Sequence, residues 1–239
     1  MWTIAIEALP TGDQGGFVRL SSEIAEACER IAWDEEARAV VLAFGDDWVP
    51  LVEEDPAFPP ALETVPSLVE SIAALKVPVI AAIKGDAVGL GLELAMTCDI
   101  RVGAAGARFG MPAVRKRTMP SAGGTQRLPR LVGLGRAMEM ILTGTLIDGA
   151  EAKAAGLLNR LVAPREVMST AAAMAEEMAS KSPLALAYVK EALHKGMDLT
   201  LDQGMRMELD LYLLLFTTSD RKEGITAYKE KRKPRFKGA

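Results

Sequence analysis

The residues from Val77 to Met96, VPVIAAIKGDAVGLGLELAM, are the most informative part of this sequence about its fold. Its first seven residues are small or β-branched apolar residues, with Pro78 near the start, which is typical of a buried strand. Glycines at 85, 89 and 91 then allow a tight turn. An apolar segment that carries one charge, Glu93, follows and is predicted to be a helix from about Leu90. A strand, a glycine-containing turn and a helix in this order predict an α/β unit.

The same alternation precedes this stretch. Ala39 to Ala43 is a second short apolar run of the buried-strand type. Apolar residues at helical spacing run from Ser22 to Trp33, behind a Ser21–Ser22 cap, and again from Val65 to Leu75. Strands that alternate with helices predict an α/β core with largely parallel strands.

From Glu166 onward the strand signals stop. Three helices are predicted, over about Val167 to Ser180, Pro183 to His194 and Leu201 to Phe216. We therefore divide the chain into a core of residues 1–182 and a helical C-terminal region of residues 183–239. The last helix carries an apolar stripe of Met205, Leu209, Tyr212, Leu213 and Phe216. This stripe predicts packing against the core or, alternatively, contact with a second subunit.

Composition excludes several classes of protein. The net charge of −4 over 239 residues gives no overall basic field of the kind that general nucleic-acid binding needs, so no nucleic-acid partner is expected. Two distant cysteines and a single histidine, His194, provide neither a disulfide framework nor metal-ligand spacing, and no metal site is predicted. Residues 1–10 do not resemble a signal peptide, and the apolar runs are too short to cross a bilayer, so a cytoplasmic protein without membrane contact is expected.

The start of the helix near Leu90 is the first candidate for chemistry. A helix N-terminus presents unpaired backbone N–H groups, which stabilise a negative oxygen. Glu93 lies one turn into that helix, close enough to act on a ligand bound there. The spacing alone leaves two interpretations of Glu93 open, a proton-transfer residue or a carboxylate that only favours the helix dipole.

The stretch 77–101 resembles the signature of the crotonase (enoyl-CoA hydratase/isomerase) superfamily. Five further blocks follow in the order and spacing of that family: residues 108–112, 120–130, 138–144, 152–157 and 223–236. The resemblance implies a spiral of ββα units with a helical C-terminal region, trimers that often pair into hexamers, and an acyl-CoA substrate. It implies no cofactor beyond the coenzyme A of that substrate.

Residue roles follow from the resemblance by position. Two backbone N–H groups would hold the thioester oxygen, one of them from Leu90, and Glu93 would transfer a proton. The C-terminal region would take part in trimerisation and in binding coenzyme A, with Lys231, Tyr212 and Tyr228 matching positions near that ligand.

The sequence departs from the family pattern at three places. Ala113 stands where hydratases have a second glutamate, and a charged run ending at Arg117 replaces apolar residues and a glycine. That run is either a solvated surface segment or the source of a cation in the pocket. In the family a small-residue loop supplies the second oxyanion donor, and here that loop begins with Trp48. Pro50 has no N–H, so the donor could be Val49, Leu51 or Val52. Leu51 is our candidate. Trp48, Ala113 and Arg117 are expected to line the pocket.

The function expected from these residues is hydration of a 2-enoyl-CoA thioester, or its reversal. Because Ala113 removes one carboxylate, two alternatives stay open: another reaction of the family, such as isomerisation, decarboxylation or thioester hydrolysis, and a CoA-ester-binding subunit of low activity. The basic segment 229–237 is the basis for a weaker nucleic-acid interpretation.

Overall fold

The computed structural model of the chain describes residues 1–6, 14–45 and 64–239. The predictions for Trp48 and for Leu51, with its alternatives Val49 and Val52, fall outside these ranges.

A five-stranded sheet forms the centre of the core, and all its neighbouring pairs are parallel. Every residue of its middle strand is buried, because helices cover the sheet, and a continuous apolar run is what such a strand requires. The strands predicted at 39–43 and 77–83 are confirmed with ends shifted by one or two residues. In spatial order the strands are β1 (Trp2–Ile6), β2 (Val40–Phe44), β3 (Val79–Ile83), β5 (Ile100–Ala104) and β8 (Arg160–Val162).

A second sheet has three strands, the first of which, β4, follows β3 of the central sheet. In it β4 pairs in parallel with β6, and β6 pairs in antiparallel fashion with β7. Its strands are β4 (Ala87–Val88), β6 (Arg108–Gly110) and β7 (Ile147–Asp148). Since β4 comes directly before the glycine turn, this sheet sets the position of the helix that follows.

Ten α-helices lie in the described ranges, and two 3-10 helices accompany them at Pro112–Lys116 and Pro164–Glu166. The α-helices are α1 (Gln14–Trp33), α2 (Thr64–Ala73), α3 (Leu90–Thr97), α4 (Gly124–Val132), α5 (Leu134–Thr143), α6 (Gly149–Ala154), α7 (Val167–Ala179), α8 (Pro183–Gly196), α9 (Leu201–Leu215) and α10 (Ser219–Lys229). Together with the parallel sheet they confirm the predicted α/β class.

The predicted start of α1 is wrong. The helix begins at Gln14, eight residues before Ser22, and Ser21 lies buried inside it instead of capping it. The reason is that Leu20 and Ile24, spaced one turn apart and both buried, carry the core-facing stripe across the serine pair.

Four helices follow residue 166 instead of the three predicted. The additional helix is α10, whose sequence is too rich in charged residues to show a clear apolar periodicity. Thr218 is its N-cap and accepts the N–H of Arg221. The predicted packing of the α9 stripe against the core is also wrong within this chain. Helix α9 instead packs along α8. The side chains of the stripe are between 41% and 61% exposed: Met205, Leu209, Tyr212, Leu213 and Phe216.

Helix α8 is fixed to the core by a polar cluster at the end of the central sheet. Lys190 Nζ lies 2.7 Å from Asp99 Oδ2, and His194 Nε2 lies 2.8 Å from Asp99 Oδ1. Burial by itself raises the pKa of Asp99, but hydrogen bonds from His194, Lys190 and the Val79 N–H outweigh it and hold that pKa below its usual value. The only histidine of the chain thus joins a helix to the core. The division of the chain at residue 183, where α8 begins, stays a prediction.

Candidate active site

The predicted turn and helix start are both present, and they leave donors at the N-terminus of α3. Gly89 caps the helix with φ of 59°, a conformation that glycine adopts without steric cost, and its N–H donates to the Gly110 carbonyl at 2.9 Å. The first intrahelical bond runs from the Glu93 N–H to the Gly89 carbonyl, at 3.0 Å. The N–H groups of Leu90, Gly91 and Leu92 therefore have no acceptor within the helix and are directed out of its N-terminal end.

The Glu93 side chain is buried, with 3% of its surface exposed. Its Oε1 accepts the N–H of Ala122 at 2.8 Å and the N–H of Gly124 at 2.7 Å. Both donors belong to the segment that enters α4, about thirty residues further along the chain. Two main-chain hydrogen bonds on one oxygen fix the orientation of the carboxylate against the start of α4.

Gly124 has no room for a side chain. A Cβ there would lie 2.8 Å from Glu93 Oε1 and 2.7 Å from both Sδ and Cε of the buried Met111. This close approach lets the Gly124 N–H reach the carboxylate, and it places the segment around Met111 beside Glu93. The site is thus built from three elements: α3, the start of α4, and the strand end that leads to Pro112.

Arg127 is the nearby cation that the sequence reasoning did not single out. It is half-buried on the first turn of α4, and its Nη1 lies against the Cα of Gly123, where a Cβ would collide with it. Burial lowers the pKa of Arg127, while the charge of Glu93 raises it. The available signal was its place in the block 120–130, three residues after the second of two adjacent glycines.

Ala113 and the charged run lie on the 3-10 helix Pro112–Lys116 and at its end. Ala113 is half-buried, whereas Arg115 and Arg117 are exposed. Arg117 has φ of 63°, in the left-handed region that glycine adopts most easily. Arg115 extends over Gly144 toward the end of α5, so its side chain fits the solvated interpretation of the run.

The three residues predicted to bind coenzyme A lie at the C-terminal end of the fold. Tyr212 and Tyr228 are 55% and 86% exposed, on α9 and α10, and Lys231 is exposed just after α10 with φ of 55°. The ring of Tyr212 packs edge-on against Phe216, with centroids 5.0 Å apart. The structure leaves all three side chains accessible and does not bring them into contact with Glu93.

The basic segment after α10 is fixed to that helix by side-chain and main-chain hydrogen bonds. Arg232 donates to both carboxylate oxygens of Glu223, at 2.6 and 2.9 Å, and these bonds lower the pKa of Glu223 to about 2. The buried carboxylate of Asp220 accepts the N–H groups of Lys237 and Gly238. The segment is therefore an ordered strap across α10, with lysine side chains on its outside.

The described ranges contain no group of three or more His, Cys, Asp or Glu residues placed to hold a metal ion. None of the helices in those ranges combines the length and apolar character needed to cross a membrane.

A protein-family model for enoyl-CoA hydratase/isomerase matches residues 18–239. The chain belongs to the enoyl-CoA hydratase/isomerase family. This confirms the resemblance seen in the sequence, and the match covers α3, the start of α4 and the whole C-terminal region.

Individual members of the family are also similar to this chain in sequence. The chain is 45% identical over 168 residues to a probable enoyl-CoA hydratase of Rhizobium meliloti (strain 1021), covering 70% of this chain and 65% of that protein. It is 46% identical over 165 residues to a crotonyl-CoA hydratase of Syntrophomonas wolfei, covering 69% of this chain and 64% of that protein. These alignments span less than two thirds of either relative.

The fold matches along nearly its whole length. An enoyl-CoA hydratase from Bacillus anthracis superposes with a TM-score of 0.90 at 33% identity, covering 99% of this chain and 95% of that one. The α/β core and the helical C-terminal region are therefore those of the crotonase fold.

Proposed function

We propose that this chain adds water to the double bond of a 2-enoyl-CoA thioester, or removes it in the reverse direction, with Glu93 as the proton-transfer residue. The observation that carries the proposal is the buried Glu93 carboxylate, fixed by two main-chain donors one turn behind a helix start whose N–H groups are directed outward. The named hydratases among its relatives support the same chemistry.

The N-terminus of α3 supplies the electrostatic part of the reaction. The thioester oxygen would accept the N–H of Leu90, and a second donor would come from the segment that contains Leu51. When water attacks the β-carbon, the electrons of the double bond move through the α-carbon to this oxygen. Donors that are already in place stabilise the resulting enolate without reorganisation.

Glu93 supplies the proton chemistry. Because Ala122 and Gly124 hold Oε1, the carboxylate is presented to the substrate in one orientation. The carboxylate takes a proton from the attacking water as the new C–O bond forms. With Ala113 in place of a second carboxylate, the same group returns that proton to the α-carbon of the enolate, which completes the addition.

Ala113 also supports a second candidate function. One carboxylate next to an oxyanion site is sufficient for reactions that pass through an enolate without adding water, such as moving a double bond. Ala113, half-buried on the 3-10 helix Pro112–Lys116, offers no second carboxylate. Arg117 and Trp48 would complete the pocket walls.

The C-terminal region is proposed to complete the site in an oligomer. In α8 and α9 no residue is buried within the chain, which leaves an apolar face of the kind that subunit contacts cover. We propose a homotrimer or a hexamer of two trimers, with Lys231, Tyr212 and Tyr228 contacting coenzyme A.

The test is direct. Purified protein is incubated with crotonyl-CoA, and loss of the conjugated thioester absorbance is followed while products are identified by mass spectrometry. The proposal predicts a product heavier by one water. A panel of other CoA esters that gives only an isomer, a decarboxylated product or free acid would favour the second candidate instead, and binding of CoA esters without any turnover would contradict both.

A further inference from the structure

Helix α10 ends in a lysine whose backbone conformation suits glycine. Lys231 is exposed and has φ of 55°. Its N–H donates to the Tyr228 carbonyl at 3.2 Å, and the Arg232 N–H donates to the Ala227 carbonyl at 3.0 Å. These two bonds form a Schellman motif, in which the left-handed residue is usually a glycine. A lysine at this position has a steric cost, so the surrounding contacts must hold it there.

Glu223 of α10 holds the residues that follow Lys231. Its carboxylate accepts two bonds from Arg232, Nη1 to Oε1 at 2.6 Å and Nη2 to Oε2 at 2.9 Å. Its Oε1 also accepts the Arg235 N–H, at 2.8 Å. A bidentate pair of this kind fixes orientation as well as distance. The chain is therefore fixed on both sides of Lys231, by the helix before it and by Glu223 after it.

A second carboxylate holds the far end of the strap, which we define as residues 230–238. The buried Asp220 accepts the N–H of Lys237 at 2.7 Å. It also accepts the hydroxyl of Ser182, the N-cap of α8, at 2.8 Å. Because the strap is tied to helices at both of these points, Lys231 is not free to relax into a less strained conformation.

The strap concentrates positive charge in a chain whose net charge is −4. Arg232 is paired with Glu223 and Glu230. The remaining basic side chains in and next to the strap are exposed and make no ion pair with any described residue: Lys229, Lys231, Lys233, Arg235 and Lys237. Unpaired cations gathered in one short segment attract a polyanion. Coenzyme A is such a ligand, because its nucleotide part carries a pyrophosphate and a ribose phosphate.

We propose that Glu223 is a positioning residue for Lys231: by holding Arg232 and the Arg235 N–H, it keeps Lys231 in the conformation that directs its ammonium group at the phosphates of coenzyme A. This inference rests on the proposed function, which assigns Lys231 to that ligand. Glu223 acts here through Lys231 and not by contact with the ligand. The effect has the opposite sign to that of its charge, because an anion beside an anion site by itself weakens binding.

Calorimetric titration of the full chain with coenzyme A tests the inference without turnover. Glu223→Ala removes a negative charge and frees Arg232, so electrostatics alone predicts a lower Kd. The proposal predicts instead a Kd higher by about fivefold. The matched control is Glu139→Ala on α5, which breaks a pair with Arg136 at 2.8 Å and should leave Kd unchanged. A Kd for Glu223→Ala equal to or below that of the unmodified protein would overturn the proposal.

Variants of Lys231 test whether Glu223 acts through it. Lys231→Ala should raise Kd about tenfold, and adding Glu223→Ala to that variant should change Kd little further. An equal effect of Glu223→Ala with and without the lysine side chain would contradict the positioning role. Lys231→Gly should raise the midpoint of thermal unfolding, because glycine suits the left-handed position, and should still weaken binding. A Lys231→Gly protein that binds coenzyme A as tightly as the unmodified protein would also overturn the proposal.

Kinetics add a measurement that general damage to the structure would not reproduce. Glu223→Ala should raise KM for crotonyl-CoA and leave kcat nearly unchanged. Crotonyl-pantetheine lacks the nucleotide, so its kcat/KM should be the same in the variant and in the unmodified protein. Equal losses on the two substrates would show that Glu223 only supports the fold.

The outcomes separate this inference from the proposed function. If the unmodified protein binds coenzyme A but acts on no CoA ester, the proposed function fails and calorimetry still decides the role of Glu223. If it hydrates crotonyl-CoA and Glu223→Ala does not weaken binding, the inference is wrong and the function stands. A chain that does not bind coenzyme A contradicts both. Should Glu223→Ala not fold, Glu223→Gln removes the ionic pair with Arg232 while keeping an acceptor for the Arg235 N–H, and an unchanged or lower Kd in that variant overturns the proposal.

Discussion

Gly124 donates its N–H to Glu93 Oε1 at 2.7 Å, and the same oxygen lies 2.8 Å from where a Gly124 side chain would begin. The contact joins two helices, α3 and α4, at a point where only a glycine fits. We consider this contact the most sensitive structural feature of the candidate site, because it fixes the residue to which we assign proton transfer.

Gly124→Ala should therefore disable the site with limited damage to the fold. The added methyl group must displace Glu93 Oε1 or Met111, since it meets both at less than 3 Å. A fall in kcat of at least about 100-fold is expected, because a small misplacement of a reacting group is costly. The matched control is Gly135→Ala in the exposed part of α5, where nothing lies within 4 Å. Equal activity in the two variants would show that the Gly124 contact does not matter.

Leu90→Pro tests the oxyanion donor by removing a single N–H. Leu90 is the first residue of α3, a position that tolerates proline because its N–H has no acceptor within the helix. We expect kcat/KM for crotonyl-CoA to fall about 10²–10³-fold, the usual effect of losing one such donor. Leu90→Ala keeps the N–H and should stay within about tenfold of the unmodified protein. Circular dichroism of both variants checks the fold, and similar losses in the two would argue for side-chain packing instead.

Asp99→Asn tests the attachment of α8 to the core. At pH 7 the change leaves the half-buried Lys190 without its ionic partner and should lower the free energy of unfolding by about 2–4 kcal/mol. The pKa of Asp99 is lowered in the folded protein, so its contribution is complete above about pH 4 and is lost as the pH falls through that lowered pKa. Urea unfolding at pH 7 and near pH 3 should show the difference between the variant and the unmodified protein shrinking.

The control for that experiment is Asp198→Asn, which breaks an exposed pair with Arg130 and should cost less than about 1 kcal/mol. A difference for Asp99→Asn that grows toward low pH would contradict the ionic account of the cluster.

Leu209→Glu tests the proposed oligomer. Leu209 is 55% exposed on α9 in the groove between α8 and α9. A charge there should prevent a second subunit from covering this face, so light scattering after size-exclusion chromatography should show a trimer or hexamer becoming a monomer. Trp33→Glu, at an exposed position on α1, should leave the mass unchanged. A monomer in the unmodified protein would refute the proposed assembly.

The sequence predicted the local parts of the site and missed the parts that come from distant segments. Leu90 and Glu93 were placed correctly relative to the helix because a strand, a glycine turn and a helix occupy one short stretch. The donors to Glu93, Ala122 and Gly124, lie 29 and 31 residues away, and no pattern within one sequence indicates which main-chain group will meet a carboxylate. Arg127 was missed for the same reason.

The two errors in the predicted fold also have physical causes. The sequence does not predict the N-terminal turns of α1, because a pair of serines is typical of a helix cap, although here the buried stripe continues through it. The sequence favours packing of the α9 stripe against the core, yet helical periodicity shows only that one face of the helix is apolar. Which surface covers that face does not follow from its periodicity.

Glu93→Gln, measured by hydration of crotonyl-CoA, tests the central claim most directly. Glutamine keeps the size and the oxygen that Ala122 and Gly124 hold, but it has no group that accepts a proton. We predict a fall in kcat of about 10²–10⁴-fold with KM changed far less, while the exposed Glu208→Gln control stays fully active. A Glu93→Gln protein that hydrates crotonyl-CoA at the rate of the unmodified protein would contradict the account.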